Sequence, residues 1–431
     1  MIKHLAFESL LINVIDNRGK TCPTGDSGLP LIATNCVKNS NLYPVFEKIR
    51  YVSRETYDSW FRGHPKPGDI IFVNKGSPGQ VCLTPDPVNF CIAQDMVAVR
   101  ANPDLVYPAY LFAALRSEEV QTSISNMHVG TLIPHFKKGD FDKLQIPIPN
   151  RETQVFIGDF YLDLSRKIDL NRRMNETLEA IARALFKDWF VDFGPVRAKA
   201  EGRHPPGLAP DIAALFPEAL DDEDKPVGWT SHPLSDFFDL IGGGTPRTAE
   251  PSYWGGPIPW FSVTDVPHGS DVFVVETEKT ITQVGLDNCS ARLLPISTAI
   301  ITARGTVGKL AMVGRPMAMN QSCYGISGRS GWPPYFTYFL LKNAVDRLQS
   351  NSHGSVFDTI TRSTFDGVQG VRPDQRLGAE FDGIVGPLMA RILANVEESR
   401  TLGALRGLLL PKLMSGEIRV CDAENVVEAA A

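Results

Sequence analysis

No apolar run in the sequence approaches the roughly 20 residues that a membrane-spanning helix needs. The first twenty residues hold one short apolar stretch without a small-residue cleavage site, and Asp16 and Arg18 follow it at once, so a signal peptide is not expected. The seven cysteines (Cys22, Cys36, Cys82, Cys91, Cys289, Cys323 and Cys421) contain no C-x-x-C pair, and their odd number argues against a closed disulfide framework. They read as reduced thiols in a cytoplasmic protein. The eight histidines show no paired spacing with them, which leaves a zinc site without a motif. Positive charge is also scarce: 43 Lys and Arg stand against 49 Asp and Glu, a net −6. Phosphate binding needs clustered Lys and Arg, so this balance opposes a nucleic-acid ligand. Its distribution softens the objection. Residues 201–228 carry seven acids (Glu201, Asp211, Glu218, Asp221, Asp222, Glu223, Asp224) against Arg203 and Lys225, and so supply −5 of the −6. The remainder is close to neutral, and partners would have to share the grip on a DNA ligand.

What is present is a globular composition, 43 % hydrophobic and 9 % aromatic, over 431 residues, enough for two or three domains. An internal repeat of about 225 residues organises it. GDIIFVNKGSPGQVCL (68–83) matches STAIITARGTVGKLAM (297–312), setting Gly76 on Gly305 and Gly79 on Gly308, and Pro30 aligns with Pro259. Gln94 pairs with Gln321, PAYLFAALRSEEV (108–120) with PYFTYFLLKNAVD (334–346), His128 to Thr131 with His353 to Ser355, and Phe141 with Phe365. The globular part of each copy mixes short β-rich runs with Gly/Pro turns, which predicts an α+β fold.

A long helical pattern follows each copy. Steps of four and three give Ile157, Tyr161, Leu164, Ile168, Asn171, Asn175, Leu178, Ala182, Leu185 and Trp189, a heptad seam. Adding 224 gives Phe381, Val385, Leu388, Ile392, Asn395, Ser399, Leu402, Arg406, Leu409 and Leu413, which preserves the seam and its polar middle. Each helix begins after a proline, Pro149 or Pro373, and the first stops near Phe193-Gly194-Pro195. At about 1.5 Å per residue the first would form a rod of roughly 55 Å. Such a helix cannot bury its seam alone. Either the two copies pair as an antiparallel coiled coil, with the asparagines fixing register, or each folds against its own domain with the asparagines at a solvated edge. The predicted order is a globular domain (1–150), a central helix (151–193), an acidic Pro-rich linker with one short helix near Ile212–Leu220 (194–228), a second globular domain (229–372), a distal helix (373–416) and a frayed tail (417–431).

The motifs that would carry chemistry fail. Trp332-Pro333-Pro334-Tyr335 has Trp where an amino-methyltransferase needs Asp or Asn to hold the target amine, and reads as a helix entry. Ala303-Arg304-Gly305-Thr306-Val307-Gly308-Lys309-Leu310 lacks the first Gly and the final Ser/Thr of a phosphate loop. Gly242-Gly243-Gly244 lacks dinucleotide-binding spacing. Asp222-Glu223-Asp224-Lys225 offers the letters of a metal-dependent nuclease but sits in the acidic segment. The positive signal is in loops. Asn74–Gln80 and Thr302–Lys309 each follow a β-like run and set Gly beside Lys, Arg and Gln, the side chains that read base edges in the major groove. The same letters also suit a tight hairpin with solvated ends, and residue chemistry alone leaves both readings open.

Gly243-Gly244-Thr245-Pro246 followed by Tyr253-Trp254-Gly255-Gly256-Pro257-Ile258-Pro259-Trp260 resembles the opening of a target-recognition domain in the specificity subunits of type I restriction-modification systems. Arg304-Gly305-Thr306-Val307-Gly308 resembles its central turn, residues 175–193 the end of the family's central conserved helix, and residues 408–418 its distal counterpart. The first half departs, with Lys75-Gly76-Ser77-Pro78-Gly79 at the turn and no Gly-Thr-Pro opening. The resemblance implies a non-catalytic chain with two recognition domains, each reading half of a bipartite site in double-stranded DNA, and helices that set the spacer. It implies two methyltransferase subunits that modify adenine, and endonuclease-translocase subunits for cleavage. S-adenosylmethionine, ATP and Mg would belong to those partners, and no cofactor, metal or membrane contact to this chain. The candidate DNA contacts are Lys75, Ser77, Gln80, Thr245, Arg247, Arg304, Thr306 and Lys309. A stand-alone DNA-modifying enzyme and a structural adaptor that binds protein are the competing classes.

Overall fold

A computed structural model of the chain describes residues 3–17, 21–92, 94–127, 134–267, 271–352 and 359–418. The chain divides into two compact units: Met1–Leu170 with Ser399–Ala431, and Asn171–Glu398. The division cuts both long helices, Arg151–Phe190 and Gln375–Ser415, near their middles. It does not fall at the expected domain ends, because half of each helix is buried with each globular part.

In the first unit nine strands precede the helix: β1 (Lys3–Ala6), β2 (Leu11–Ile15), β3 (Leu29–Ile32), β4 (Arg50–Val52), β5 (Ile70–Val73), β6 (Val81–Leu83), β7 (Cys91–Ile92), β8 (Met96–Ala101) and β9 (Gln145–Ile148). They form a four-stranded sheet, β2-β8-β5-β6, a three-stranded sheet, β4-β3-β7, and the pair β1-β9. The second unit has β10 (Thr230–Pro233), β11 (Phe238–Gly242), β12 (Trp254–Phe261), β13 (Phe273–Val274), β14 (Thr280–Ile281), β15 (Ala299–Thr302), β16 (Leu310–Val313), β17 (Ala318–Met319), β18 (Cys323–Gly328) and β19 (Gln369–Arg372). Its sheets are β11-β18-β15-β16-β13, β14-β12-β17 and β10-β19.

The repeat extends to register. Ile70 faces Leu83 as Ala299 faces Met312, and the parallel pairing of Leu31 with Cys91 is matched by that of Trp260 with Ala318. β1 and β2 stand where β10 and β11 do, so the opening residues of the first copy have counterparts that its missing Gly-Thr-Pro had concealed. The matched strings at 128–131 and 353–355 lie outside the described residues, as does the tail beyond Ile418.

β-Branched and apolar runs such as Ile70–Val73 are buried on both faces, which seats the main sheet in the core. Helix Pro108–Leu115 starts on proline and is buried from Ala109 to Leu115. It packs with Ile157 and Tyr161 of the central helix and Leu409 and Leu413 of the distal one. A Cβ on Gly158 would stand 2.6 Å from the Tyr110 nitrogen, so only glycine lets the two backbones meet here. In the second unit, Phe186 and Phe190 of the central helix cluster with Phe336 and Phe381, with Phe190 and Phe336 perpendicular at 5.1 Å between centroids.

Both long helices start on a side-chain cap one residue after the proline. Asn150 Oδ1 accepts from the Thr153 amide (2.8 Å), and Asp374 Oδ1 accepts from the Arg376 amide (2.9 Å). Every one of the twenty seam positions is buried or half-buried. The helices run antiparallel within each unit. In the second, Phe186 meets Phe381 while Asn175, eleven residues earlier, receives a hydrogen bond from Asn395 Nδ2 (2.8 Å). Asn171 Nδ2 donates to Glu398 Oε2 (2.8 Å). In the first, the seam residue Arg406 sends Nη1 to Ser165 Oγ (2.9 Å) and lays its guanidinium over Tyr161.

Residues 194–228 are not the loose linker that their prolines and acids suggested. Helices Gly194–Ala200 and Pro210–Ala213 and the turn after the second dock Val196, Ala213 and Phe216 into the second unit, and Val196 and Phe216 join its main core. Lys199 Nζ donates to the Ala213 and Phe216 carbonyls (3.1 and 2.6 Å). The short helix ends at Ala213 instead of running to Leu220, and the acids occupy the outer face. At the end of the central helix the left-handed residue is Phe193, at φ 56°, and Gly194 opens the next helix.

Asp382 Oδ2 and Oδ1 accept from the Tyr335 and Phe336 amides (3.0 and 2.6 Å) at the start of helix Pro334–Ser352. Burial pushes its carboxyl up to about 6. A folded-state value above the unfolded one means the native chain holds this proton more tightly, so the residue's stabilisation is greatest at acid pH and is lost as pH rises through about 6. Asp382→Asn cannot ionise. Its stability relative to the parent, read from urea midpoints, should improve by on the order of 2 kcal/mol between pH 4.5 and pH 7. A difference that does not change with pH would show that the carboxyl titrates normally.

Candidate nucleic-acid interface

The two glycine turns at the ends of β5 and β15 share one backbone. Gly76 and Gly79 have φ of 89° and 87°, and Gly305 and Gly308 have 79° and 80°, conformations that only glycine adopts without strain. The Asp95 carbonyl accepts from the Asn74 and Lys75 amides (2.8 and 3.2 Å), and the Ser322 carbonyl accepts from those of Ala303 and Arg304 (2.8 and 3.2 Å). Each turn is also held by a glutamine from a following helix. Gln121 Nε2 donates to the Gly79 carbonyl (2.8 Å), and Gln349 Nε2 to that of Val307 (2.9 Å). These glutamines escaped the reading of the sequence, although their offset of 228 matches the repeat.

On this common frame the side chains differ. Lys75 and Ser77 are exposed, and the Lys75 ammonium lies 3.9 Å from Asp95 Oδ1. In the second copy Arg304 and Thr306 are exposed, and Ser322, uncharged, occupies the place of Asp95. Gln80 does not face outward: its Oε1 accepts from the Asn39 amide (2.7 Å), a structural task. Gln94 and Gln321 are exposed beside their turns.

Thr245 donates its hydroxyl to Gln321 Oε1, which brings the Gly-Thr-Pro opening next to the Arg304 turn. Arg247 is exposed, and its carbonyl accepts from Trp254 Nε1 (3.3 Å). Lys309 stands apart from that rim. With Thr306 it lines a cleft that also holds Arg183 and Lys342 from two helices, and Asp271 and Asp346. Thus Thr245, Arg304 and Gln321 gather at one edge, and Thr306 and Lys309 open onto a second, mixed-charge surface.

A basic cleft in the first unit was not foreseen. Arg62, His64, Lys66, Arg100 and Lys138 line it, with Asp16. It lies at the Ile70 end of β5, opposite the turn at the Val73 end. Arg100 is held by both oxygens of buried Asp69 (2.8 and 2.9 Å), which in turn accepts from the Lys66 amide (2.8 Å). Arg62, His64 and Lys66 share one loop, but Arg100 and Lys138 come from two other segments, so the sequence does not announce the whole cluster. Among the described residues no three His, Cys, Asp or Glu side chains gather as a metal site would require, and no helix is long and apolar enough to cross a membrane. The Trp332-Pro333-Pro334-Tyr335 string packs Trp332 on Phe336 at the start of its helix.

The fold thus defines a chain with two copies of one recognition domain. The family profile described as the type I restriction modification DNA specificity domain matches residues 27–180 and 226–369, and the chain belongs to this family. It is 29 % identical over 402 residues to the type I restriction enzyme HindI specificity subunit of Haemophilus influenzae, covering 82 % of this chain and 87 % of that one. It is 24 % identical over 357 residues to the MjaIX specificity subunit of Methanocaldococcus jannaschii, covering 82 % and 78 %. A crystal structure of the type I restriction-modification system S subunit from M. genitalium shares the fold, with a TM-score of 0.54 at 15 % identity over 96 % of both chains.

Because Gln349 and Gln121 each close a turn that has few other side-chain supports, Gln349→Ala should free the second turn without unfolding the unit. Hydrogen exchange at the Gly308 amide, which is bonded to the Thr302 carbonyl (2.9 Å), should accelerate about fivefold, the equivalent of about 1 kcal/mol. Unchanged exchange would mean that the backbone bonds and the Thr302 hydroxyl, which bonds the Thr306 carbonyl and the Lys309 amide, hold the turn without the glutamine.

Proposed function

We propose that this specificity subunit directs a type I restriction-modification complex to a bipartite DNA site, with one half-site read by the recognition domain of each unit. One observation carries the reading: a matching turn, fixed by the same glycine conformations and braced in each copy by a glutamine from a following helix, presents different side chains in the two copies. A conserved frame with varied tips suits two readers of different sequences. Arg304 is the side chain best suited to a guanine edge, and Gln321 and Gln94 offer the paired donor and acceptor that adenine takes. Lys75, Ser77, Thr245 and Arg247 complete the two reading edges, while Arg62, Lys66 and Lys138 suit phosphates, which position the duplex without reading it. Thr306 and Lys309 serve the phosphate role in the second copy.

The chain itself performs no chemistry in this reading. Two methyltransferase subunits modify adenine with S-adenosylmethionine, and endonuclease-translocase subunits supply ATP- and Mg-dependent cleavage. The isolated chain therefore methylates nothing, and its modification subunit restores methylation at one two-part site.

Exchange of residues 229–372 for the same region of a relative tests this. Long-read sequencing that detects methylated adenine should find one half-site changed and the other kept; change in both would end the two-reader scheme. Within the complex, Arg304→Ala should weaken binding by about 1–3 kcal/mol and relax one base position. Arg62→Ala should weaken all sequences alike and lower the salt slope by about one. Equal loss on every sequence for Arg304→Ala would make it a phosphate contact.

A further inference from the structure

The two copies place a cation over the same aromatic position and then treat it differently. In the second unit Lys342 lies over the Tyr338 ring, 5.6 Å from its centroid, and is ion-paired with Glu179 of the central helix. At the repeat offset of 226 the counterparts are Arg116 and Phe112, with the guanidinium 4.2 Å from the ring centroid. Glu179 maps by the helix offset of 224 onto Gly403, and Ala182 onto Arg406. Where one unit supplies an acid the other has no side chain, and where one has a methyl group the other has a second cation.

A pocket occupies that space in the first unit, lined by Arg116, Arg406, Tyr161, Asn39, Gly403 and Gly407. A Cβ added at Gly403 or Gly407 would meet nothing within 4 Å. Arg116 Nη2 donates to the Asn41 and Val81 carbonyls, but its Nε and Nη1 are shielded from solvent and have no hydrogen-bond partner. Burial disfavours the Arg116 charge, the neighbouring Tyr161 hydroxyl offsets part of that cost, and Arg406 adds a smaller repulsion. Glu118 borders the pocket with its carboxylate exposed, and neither arginine forms an ion pair among the described residues. One desolvated guanidinium with unused donors, Arg116, faces a half-buried second one, Arg406, across open space between the elements that carry them; this calls for negative charge, and the planar fork of arginine suits a tetrahedral oxyanion.

We propose that this pocket binds a small oxyanion of the phosphate or sulfate class between Arg116 and Arg406. The site is independent of how the recognition turns read DNA. The probe is inorganic phosphate, titrated into the full chain by calorimetry at ionic strength matched with chloride. The parent should bind one phosphate, and Arg406→Met, which keeps the packing over Tyr161, should bind at least about tenfold more weakly. Gly403→Glu restores the acid of the other copy; it should abolish phosphate binding and, in chloride alone, melt about 2–4 °C above Gly403→Gln, which has similar volume and helix propensity. Absence of phosphate binding by the parent, binding unchanged in both Arg406→Met and Gly403→Glu, or equal melting of the Glu and Gln variants would each overturn the proposal.

Discussion

A helix of forty residues with an apolar seam along its whole length must be covered along its whole length, and the rest of this architecture follows from how that cover is supplied. Each unit brings half of one long helix against half of the other, antiparallel, and then lays a largely buried helix of its own globular part on the pair. Helix Pro108–Leu115 does so through the bare backbone of Gly158, and helix Pro334–Ser352 through the carboxylate of Asp382. The polar members of the seam are matched to each other: Asn395 with Asn175, Asn171 with Glu398, and Arg406 with Ser165 and Tyr161. A slip of one turn would separate these partners and bury their amides and charge against methyl groups, at a cost of several kcal/mol.

The features legible in the sequence were those that recur at a fixed spacing. The seam was visible because its period is tied to helix geometry, and the two turns because a left-handed backbone demands glycine in both copies. β1 and β2 were invisible as counterparts of β10 and β11, since antiparallel pairing is made by the backbone and tolerates almost complete change of side chain. The 194–228 segment misled for another reason: its composition is set by an acidic outer face, while a few anchors, Val196, Ala213 and Phe216, decide that it packs. The cleft of Arg62, Lys66, Arg100 and Lys138 is assembled from three separate segments, so no spacing rule could find the whole of it.

Divergence between the copies is concentrated where it changes electrostatics and leaves geometry intact. Asp95 and Ser322 accept the same two backbone bonds at the same lengths, yet only the first damps its neighbouring cation. Glutamine braces from different helices reach the two turns one carbonyl apart. A backbone fixed in this way lets side chains at the tips vary at little cost to folding, since exposed substitutions rarely shift stability by more than about 0.5 kcal/mol.

The first unit is built from both ends of the described chain, and the second from one uninterrupted stretch. During synthesis, therefore, the later unit can close as soon as residue 398 has left the ribosome, while Ile157, Tyr161 and Leu162 still wait for Leu409 and Leu413. The half made first is the half completed last, and a chain released from the ribosome without the residues that follow Glu398 holds one finished unit joined to one with its seam open to chaperones and proteases.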